Sequence, residues 1–177
     1  HLDVFKPKGH QAGNKCPCMV FFFGGGWTGG TPSQFYPHAQ YLASRGMVAI
    51  SVEYRVSSRH DTSPYQCVAD GKSSIRWIRQ HASTLGVDPD RIAAGGGSAG
   101  AQVAAATATT ITFDEPSEDL EVSAKPNALV LFNPVFDNGP DGFGYERVKD
   151  RWQEFSPLHN ILQESVRLLS SLVLKTR

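Results

Sequence analysis

Arg91-Ile-Ala-Ala-Gly95-Gly-Gly-Ser98-Ala-Gly100-Ala-Gln-Val-Ala-Ala-Ala-Thr107 is the stretch that decides the fold. Its first four residues, RIAA, read as a short strand. The Ala-rich run from Ser98 to Thr107 reads as a helix, and the join spells G-x-S-x-G through Gly96, Ser98 and Gly100. A serine between a strand and a helix, with small residues two positions to either side, is the setting of a nucleophile elbow: a tight turn lifts the hydroxyl above the carboxyl edge of a sheet. The helix N-terminus behind it favours developing negative charge. A Gly/Ala-rich turn that only lets a helix pack closely on a strand uses the same residues, but motif and context together favour Ser98 as a nucleophile.

Outward from this stretch the chain alternates between strand-like and helix-like segments. Leu2 to Phe5, Met19 to Phe23 (MVFFF), Met47 to Val52 (MVAISV) and Ala128 to Phe132 (ALVLF) read as strands. Met19 to Phe23 is a continuous apolar run, which suits a strand covered on both faces, Met47 to Val52 reads as a second buried strand and Ala128 to Phe132 as a third, strongly apolar one. Ser33 to Ser44 reads as a helix with Phe35, Tyr36, Ala39, Tyr41 and Leu42 on its apolar side. From Pro64 to Leu85 the period is helical, with Val68, Ile75, Ile78, Ala82 and Leu85 on one side and Gly86 as the stop. Asp88-Pro89-Asp90 reads as a turn, Asp114 to Glu121 as an acidic loop, and Asn133 to Pro157 as an aromatic, loop-like stretch; Asn160 to Leu174 fits helix or strand. Strands alternating with helices imply right-handed crossovers and a mostly parallel sheet covered on both faces, in one α/β domain over residues 1–177.

Two glycine clusters sit at strand ends: Gly24-Gly25-Gly26-Trp27-Thr28-Gly29-Gly30, and Gly95-Gly96-Gly97-Ser98-Ala99-Gly100. Each satisfies G-x-G-x-x-G, and Glu53 stands near where a ribose-binding acid belongs, so a dinucleotide-binding domain is a rival reading. Against it, Rossmann glycines run straight into a helix, whereas bulky Trp27 and then Pro32 place helix entry well after the first cluster. With Ser98 as nucleophile both clusters find a use. Acyl transfer needs backbone N–H donors for an oxyanion. The N–H of Ala99 is one candidate, and Gly25 and Gly26 are the others.

These segments resemble the α/β-hydrolase carboxylesterases of the hormone-sensitive-lipase type, including bacterial acetyl esterases and related carbohydrate esterases. The resemblance rests on Val20 to Trp27 (VFFFGGGW), Val52 to Arg55 (VEYR), Asp70 to Gln80 (DGKSSIRWIRQ), Gly86 to Ile92 (GVDPDRI), Gly95 to Ala101 (GGGSAGA) and Ser156 to Ile161 (SPLHNI). It implies an α/β-hydrolase fold, attack of Ser98 on a small-molecule ester, an acyl-enzyme, and hydrolysis by water without metal or organic cofactor. It also implies an oxyanion hole from Gly25, Gly26 and Ala99, and a pocket lined by Trp27. Where the family often has the histidine of an HGGG motif, this chain has Phe23. A hydrolase-fold binding module without catalysis is a second alternative.

The nucleophile's partners are not apparent. In this fold the acid and then the histidine follow the nucleophile, each after a further strand. His159 is the one histidine after Ser98, and its SPLHNI segment in the family precedes the acid strand, so a structural role is favoured. Asp137 and Asp141 are read as parts of the aromatic loop rather than as the acid or a calcium site, and the triad acid and base are left unassigned. Codons can be chosen for Val166 to Thr176 (VRLLSSLVLKT) such that a shifted frame reads PPTIVFGSED, as the family continues. The expectation is a frameshift near Ser165, a sheet lacking its last strands, ester hydrolysis impaired by loss of the triad acid and histidine, and 177 residues that represent part of a larger domain. The strand Ala128 to Phe132 then becomes an exposed apolar edge, prone to pair with the tail from Leu168 to Leu174 or with a second copy.

Composition narrows the classes further. The 17 basic and 17 acidic residues cancel, which gives no electrostatic reason to expect nucleic acid or an anionic membrane as partner. The chain is 40% hydrophobic, enough for a sizeable core, and its apolar runs fall far below the ~20 residues that cross a bilayer. Cys16, Cys18 and Cys67 lack zinc-site spacing and read as free thiols, two near a strand start and one on a helix. Nothing in the sequence assigns a compartment.

Overall fold

In the computed structural model, residues 1–161 are described. The expectations for Leu168 to Leu174 and for the reading frame near Ser165 concern residues outside that range. Five strands form one sheet in the order β1-β3-β2-β4-β5: β1 Leu2–Phe5, β2 Cys16–Phe22, β3 Val48–Val52, β4 Val87–Gly97 and β5 Ala128–Phe132. β1 is antiparallel to β3, and the other neighbours are parallel. β2 lies between β3 and β4, which explains its uninterrupted apolar run: every residue from Cys18 to Phe22 is buried.

Alternation along β2 divides the two layers. Phe21 stacks on Phe35 at 4.8 Å and faces His38, on the side of helix α1, Tyr36–Ser44. Phe22 lies against Gly71 and shares its surroundings with Val103, on the opposite side, where α3 (Pro64–Gln80) and α5 (Ala99–Thr109) pack. α2 is the short turn Ser57–His60. The α3 stripe of Val68, Ile75 and Ile78 is fully buried, and a capping box from Ser63 and Gln66 starts the helix.

Some boundaries differ from expectation for identifiable reasons. The long helix is interrupted at His81, whose ring also bonds the Trp77 carbonyl at 2.8 Å; α4, Ala82–Leu85, follows and stops at Gly86 in the left-handed region. The run from Ser33 begins as a 3-10 turn, Pro32–Phe35. The strand read as RIAA is far longer: β4 starts at Val87 and continues through Gly97, with a register shift opposite Cys16 to Cys18 where Asp88-Pro89-Asp90 bulges out. Its glycines pair with β2 and β5 although glycine itself disfavours strands. After β5 the described residues are irregular apart from a turn at Tyr145–Arg147, α6 (Trp152–Phe155) and a turn at Pro157–Asn160. Val148 and Phe155 anchor this segment in the core.

The acidic loop is held by charge. Asp114 accepts from Lys72 Nζ at 2.7 Å and pairs with Arg76, which reaches Glu118 at 3.2 Å. Burial alone would raise the Asp114 carboxyl, but the hydrogen bonds from Lys72 and Arg76 hold it below its ordinary value. The Cys18 and Cys67 thiols are both pushed up to about 12, chiefly by burial, and all three cysteines are free.

Candidate active site

β2 is flanked on one side by β3, the next strand in sequence, and on the other by β4. The chain therefore reverses direction across the sheet between β2 and β4, and clefts open at such switch points beyond the carboxyl ends of the strands. Both glycine clusters lie there.

At the end of β4, Ser98 has φ 52 and ψ −118. A non-glycine residue in such a conformation costs about 1–3 kcal/mol and persists only where its surroundings fix it. Here β5 and α5 do so: the Ser98 N–H donates to the Phe132 carbonyl at 3.0 Å, and the Gln102 N–H donates to the Ser98 carbonyl at 3.1 Å. The flanking glycines have a shared steric cause. A Cβ on Gly96 would meet the Phe22 carbonyl oxygen at 2.2 Å, and one on Gly100 would meet the same oxygen at 2.1 Å. Ala99 opens α5, so its N–H is one of the donors a helix cannot use internally.

The first glycine cluster forms the facing wall. The Gly24 N–H donates to Gln34 Oε1 at 2.6 Å. The Gly25 carbonyl accepts from Thr28 at 3.0 Å and from Gly29 at 3.1 Å. Gly26 and Trp27, the central residues of that turn, both have positive φ, 61 and 58, which makes it a type I′ turn. Among the described residues no protein acceptor takes the N–H groups of Gly25 or Gly26. Gly24, Gly25, Gln34, His38 and Ser98 border one open cleft of about 410 Å³.

Trp27 does not border it. The indole is 1% exposed, and its N–H donates to the buried Gln102 Oε1 at 3.1 Å. Gln102 in turn donates to the Phe155 carbonyl at 3.2 Å. Trp27 is thus a core pillar under the loop; an aromatic residue in a glycine run signals a large side chain near the site, but only tertiary structure says which way it turns. Phe23, in the place of the family's frequent histidine, stacks on Tyr54 with centroids 4.1 Å apart, and the Tyr54 hydroxyl donates to the Phe23 carbonyl. Packing and Gln34 together fix the loop start. Sequence reasoning missed Gln34 and Gln102, which carry no motif.

His159 does not border the Ser98 cleft: its Nδ1 lies 2.9 Å from Ser156 Oγ and 3.9 Å from Asp137, and its ring meets Trp152 edge-on at 4.8 Å. Asp137 accepts from the Gly139 N–H at 2.7 Å, as a turn residue does. The histidine that borders the Ser98 cleft is His38, on α1. Among the described residues no strand follows β5, and no group of three or more His, Cys, Asp or Glu could hold a metal ion. No described helix is long and apolar enough to cross a membrane.

The BD-FAE family profile matches residues 2–140, from β1 past the elbow and β5. The chain belongs to the BD-FAE family. Its fold is that of the α/β-hydrolase esterases: an esterase 2 of Thermogutta terrifontis superposes with TM-score 0.86 at 46% identity, covering 90% of this chain and 61% of that one. Among curated proteins, the probable carboxylic ester hydrolase LipM of Mycobacterium tuberculosis is 32% identical over 77% of this chain and 32% of its own length. Carboxylesterase NlhH, from the same organism, is 35% identical over 52% of this chain and 28% of its own length. The chain thus spans about a third of the curated relatives it matches. Membership in BD-FAE overturns the dinucleotide reading, and the physical reason is visible: the first G-x-G-x-x-G closes into a type I′ turn rather than entering a helix.

Proposed function

We propose that this BD-FAE member hydrolyses small carboxylic esters with short acyl groups through an acyl-enzyme on Ser98. The observation that carries this reading is the strained Ser98 elbow with Gly25 on the same cleft, the N–H groups of Gly25, Gly26 and Ala99 having no partner among the described residues. Ser98 Oγ attacks the ester carbonyl carbon, its proton passing to a general base. The carbonyl oxygen becomes an oxyanion received by those N–H groups, each such donor being worth ~10²–10³ in rate. Collapse expels the alcohol, and water then releases the acid. The base and its orienting acid are not assigned to residues of this chain. For short acyl groups the support is that Thermogutta terrifontis esterase 2 has been solved with propionate and with butyrate bound.

The test is a fluorophosphonate probe, since the Thermogutta esterase is also known phosphonylated by sarin. We expect one adduct, on the peptide that contains Ser98. Ser98→Gly should abolish it while raising stability by about 1 kcal/mol, because glycine adopts this backbone freely. A folded wild type left unlabelled would instead make this a hydrolase-fold binding module.

A second copy of the chain is the proposed partner at β5, which is an edge of the sheet among the described residues, with Val130 41% exposed, and flanks an apolar groove of about 490 Å³ shared with Tyr41 and Leu42. Unpaired strand edges of this kind recruit further strands. Light scattering should give twice the chain mass, falling to the monomer on Val130→Lys; a monomeric wild type refutes the pairing.

A further inference from the structure

We propose that Arg147 is a positioning residue of the oxyanion loop, clamping the type I′ turn from the segment that follows β5; this rests on the esterase reading above. The Arg147 guanidinium donates through Nη1 to the Gly26 carbonyl at 2.5 Å and to Thr28 Oγ1 at 3.2 Å. It lies over the Trp27 ring at 5.2 Å and the Phe143 ring at 5.8 Å. The Thr28 hydroxyl donates to the same Gly26 carbonyl at 3.2 Å.

Peptide geometry explains what this grip does. In a trans peptide the C=O and the N–H point in opposite directions. For N–H groups of the loop to face the cleft, the carbonyls of those peptides must be held elsewhere. The Gly25 carbonyl is held inside the turn by Thr28 and Gly29, which fixes the Gly26 N–H. The Gly26 carbonyl belongs to the next peptide, whose N–H is that of Trp27, and has no partner within the turn's backbone; Arg147 and Thr28 supply one, so the grip holds the turn that carries the Gly26 N–H rather than that N–H itself. Trp27, at φ 58, occupies a conformation a bulky side chain resists, and the stacked guanidinium holds both that ring and the carbonyl before it. A charge-assisted bond is stronger than the water that would otherwise take its place.

Hydrogen exchange and labelling of Arg147→Ala and Arg147→Lys separate the possible results. In Arg147→Ala, amides of residues 24–30 should exchange ~10-fold faster with the melting midpoint nearly unchanged, since the side chain is on the surface. The maximal rate of fluorophosphonate labelling should fall ~10–100-fold, the range expected when a catalytic group is displaced by up to about 1 Å, at an unaltered half-saturating probe concentration. Arg147→Lys keeps a charged N–H donor group but loses the planar guanidinium, and should recover part of both. Unchanged exchange in 24–30 overturns the clamp, and faster exchange with unchanged labelling overturns its role in the reaction. If wild-type Ser98 is not labelled, the esterase reading fails, and the exchange comparison still decides the clamp.

Discussion

Gly100→Ala is expected to destabilise the protein by about 3–5 kcal/mol, in the range that overpacking and backbone clashes reach at their worst. The sign is opposite to the usual one. Gly100 lies in the first turn of α5, and alanine in place of helical glycine ordinarily gains up to about 1 kcal/mol. Here the added Cβ would stand 2.1 Å from the Phe22 carbonyl oxygen and 2.3 Å from that of Phe23. Both are backbone atoms, and the Phe23 oxygen is also held by the Tyr54 hydroxyl, so neither can swing aside. Relief requires α5 to lift from β2 by about an ångström, which would also shift Ala99 and Ser98 away from the glycine loop. A melting midpoint lower by about 8–15 °C, with loss of Ser98 labelling, is the expected result. A variant as stable as wild type would mean that the strand–helix contact is looser than described and that the G-x-S-x-G spacing has another cause here.

That clash explains why the elbow was legible from sequence while the details around it were not. The buried strands announce themselves because β2 and β3 are covered on both faces, so nothing polar interrupts MVFFF and only Ser51, whose hydroxyl donates to the Pro32 carbonyl, interrupts MVAISV. The helix α3 shows its stripe because one face meets the sheet. The elbow is legible because a single carbonyl, that of Phe22, excludes side chains at two positions that flank the serine. β4 was under-read for the converse reason: its glycines are selected by neighbours approaching from β2 and β5, as with Gly95 beneath the Val130 carbonyl, and such approach is invisible in local propensity. The inward turn of Trp27 depends on Gln102 and Phe155, which lie 75 and 128 positions away in the chain. Arg147 is a single polar residue in an irregular segment, and its target is a backbone carbonyl, which leaves no trace in residue type. Long-range contacts made to backbone atoms are the class of information that periodicity and motif spacing lack.

The same distinction governs the second large effect. Asp114→Ala should cost about 3–5 kcal/mol, the usual consequence of stranding buried charge, whereas Lys72→Met should cost far less. Asp114 serves two cations whose side chains are only 4% and 8% exposed, Lys72 and Arg76. Its removal leaves Lys72 without a carboxylate and Arg76 with Glu118 alone, and frees the loop that Lys72 also holds through the Thr112 carbonyl at 2.6 Å. Removing Lys72 instead leaves Asp114 paired with Arg76. It also relieves a cost, because burial, outweighing the Asp114 bond, keeps the Lys72 ammonium below its ordinary range; a methionine of similar length fills the space without that penalty. The pH dependence follows from the sign of the Asp114 shift. Its folded carboxyl lies below the ordinary 3.8, so its contribution is complete above that value and is lost as pH falls through the lower, folded one. Urea unfolding between about pH 5 and pH 2 should therefore show a stability loss in the wild type that is shallower in Asp114→Ala. Equal costs for the two variants, or parallel acid profiles, would show that the loop is held by packing and that the ion network contributes nothing net.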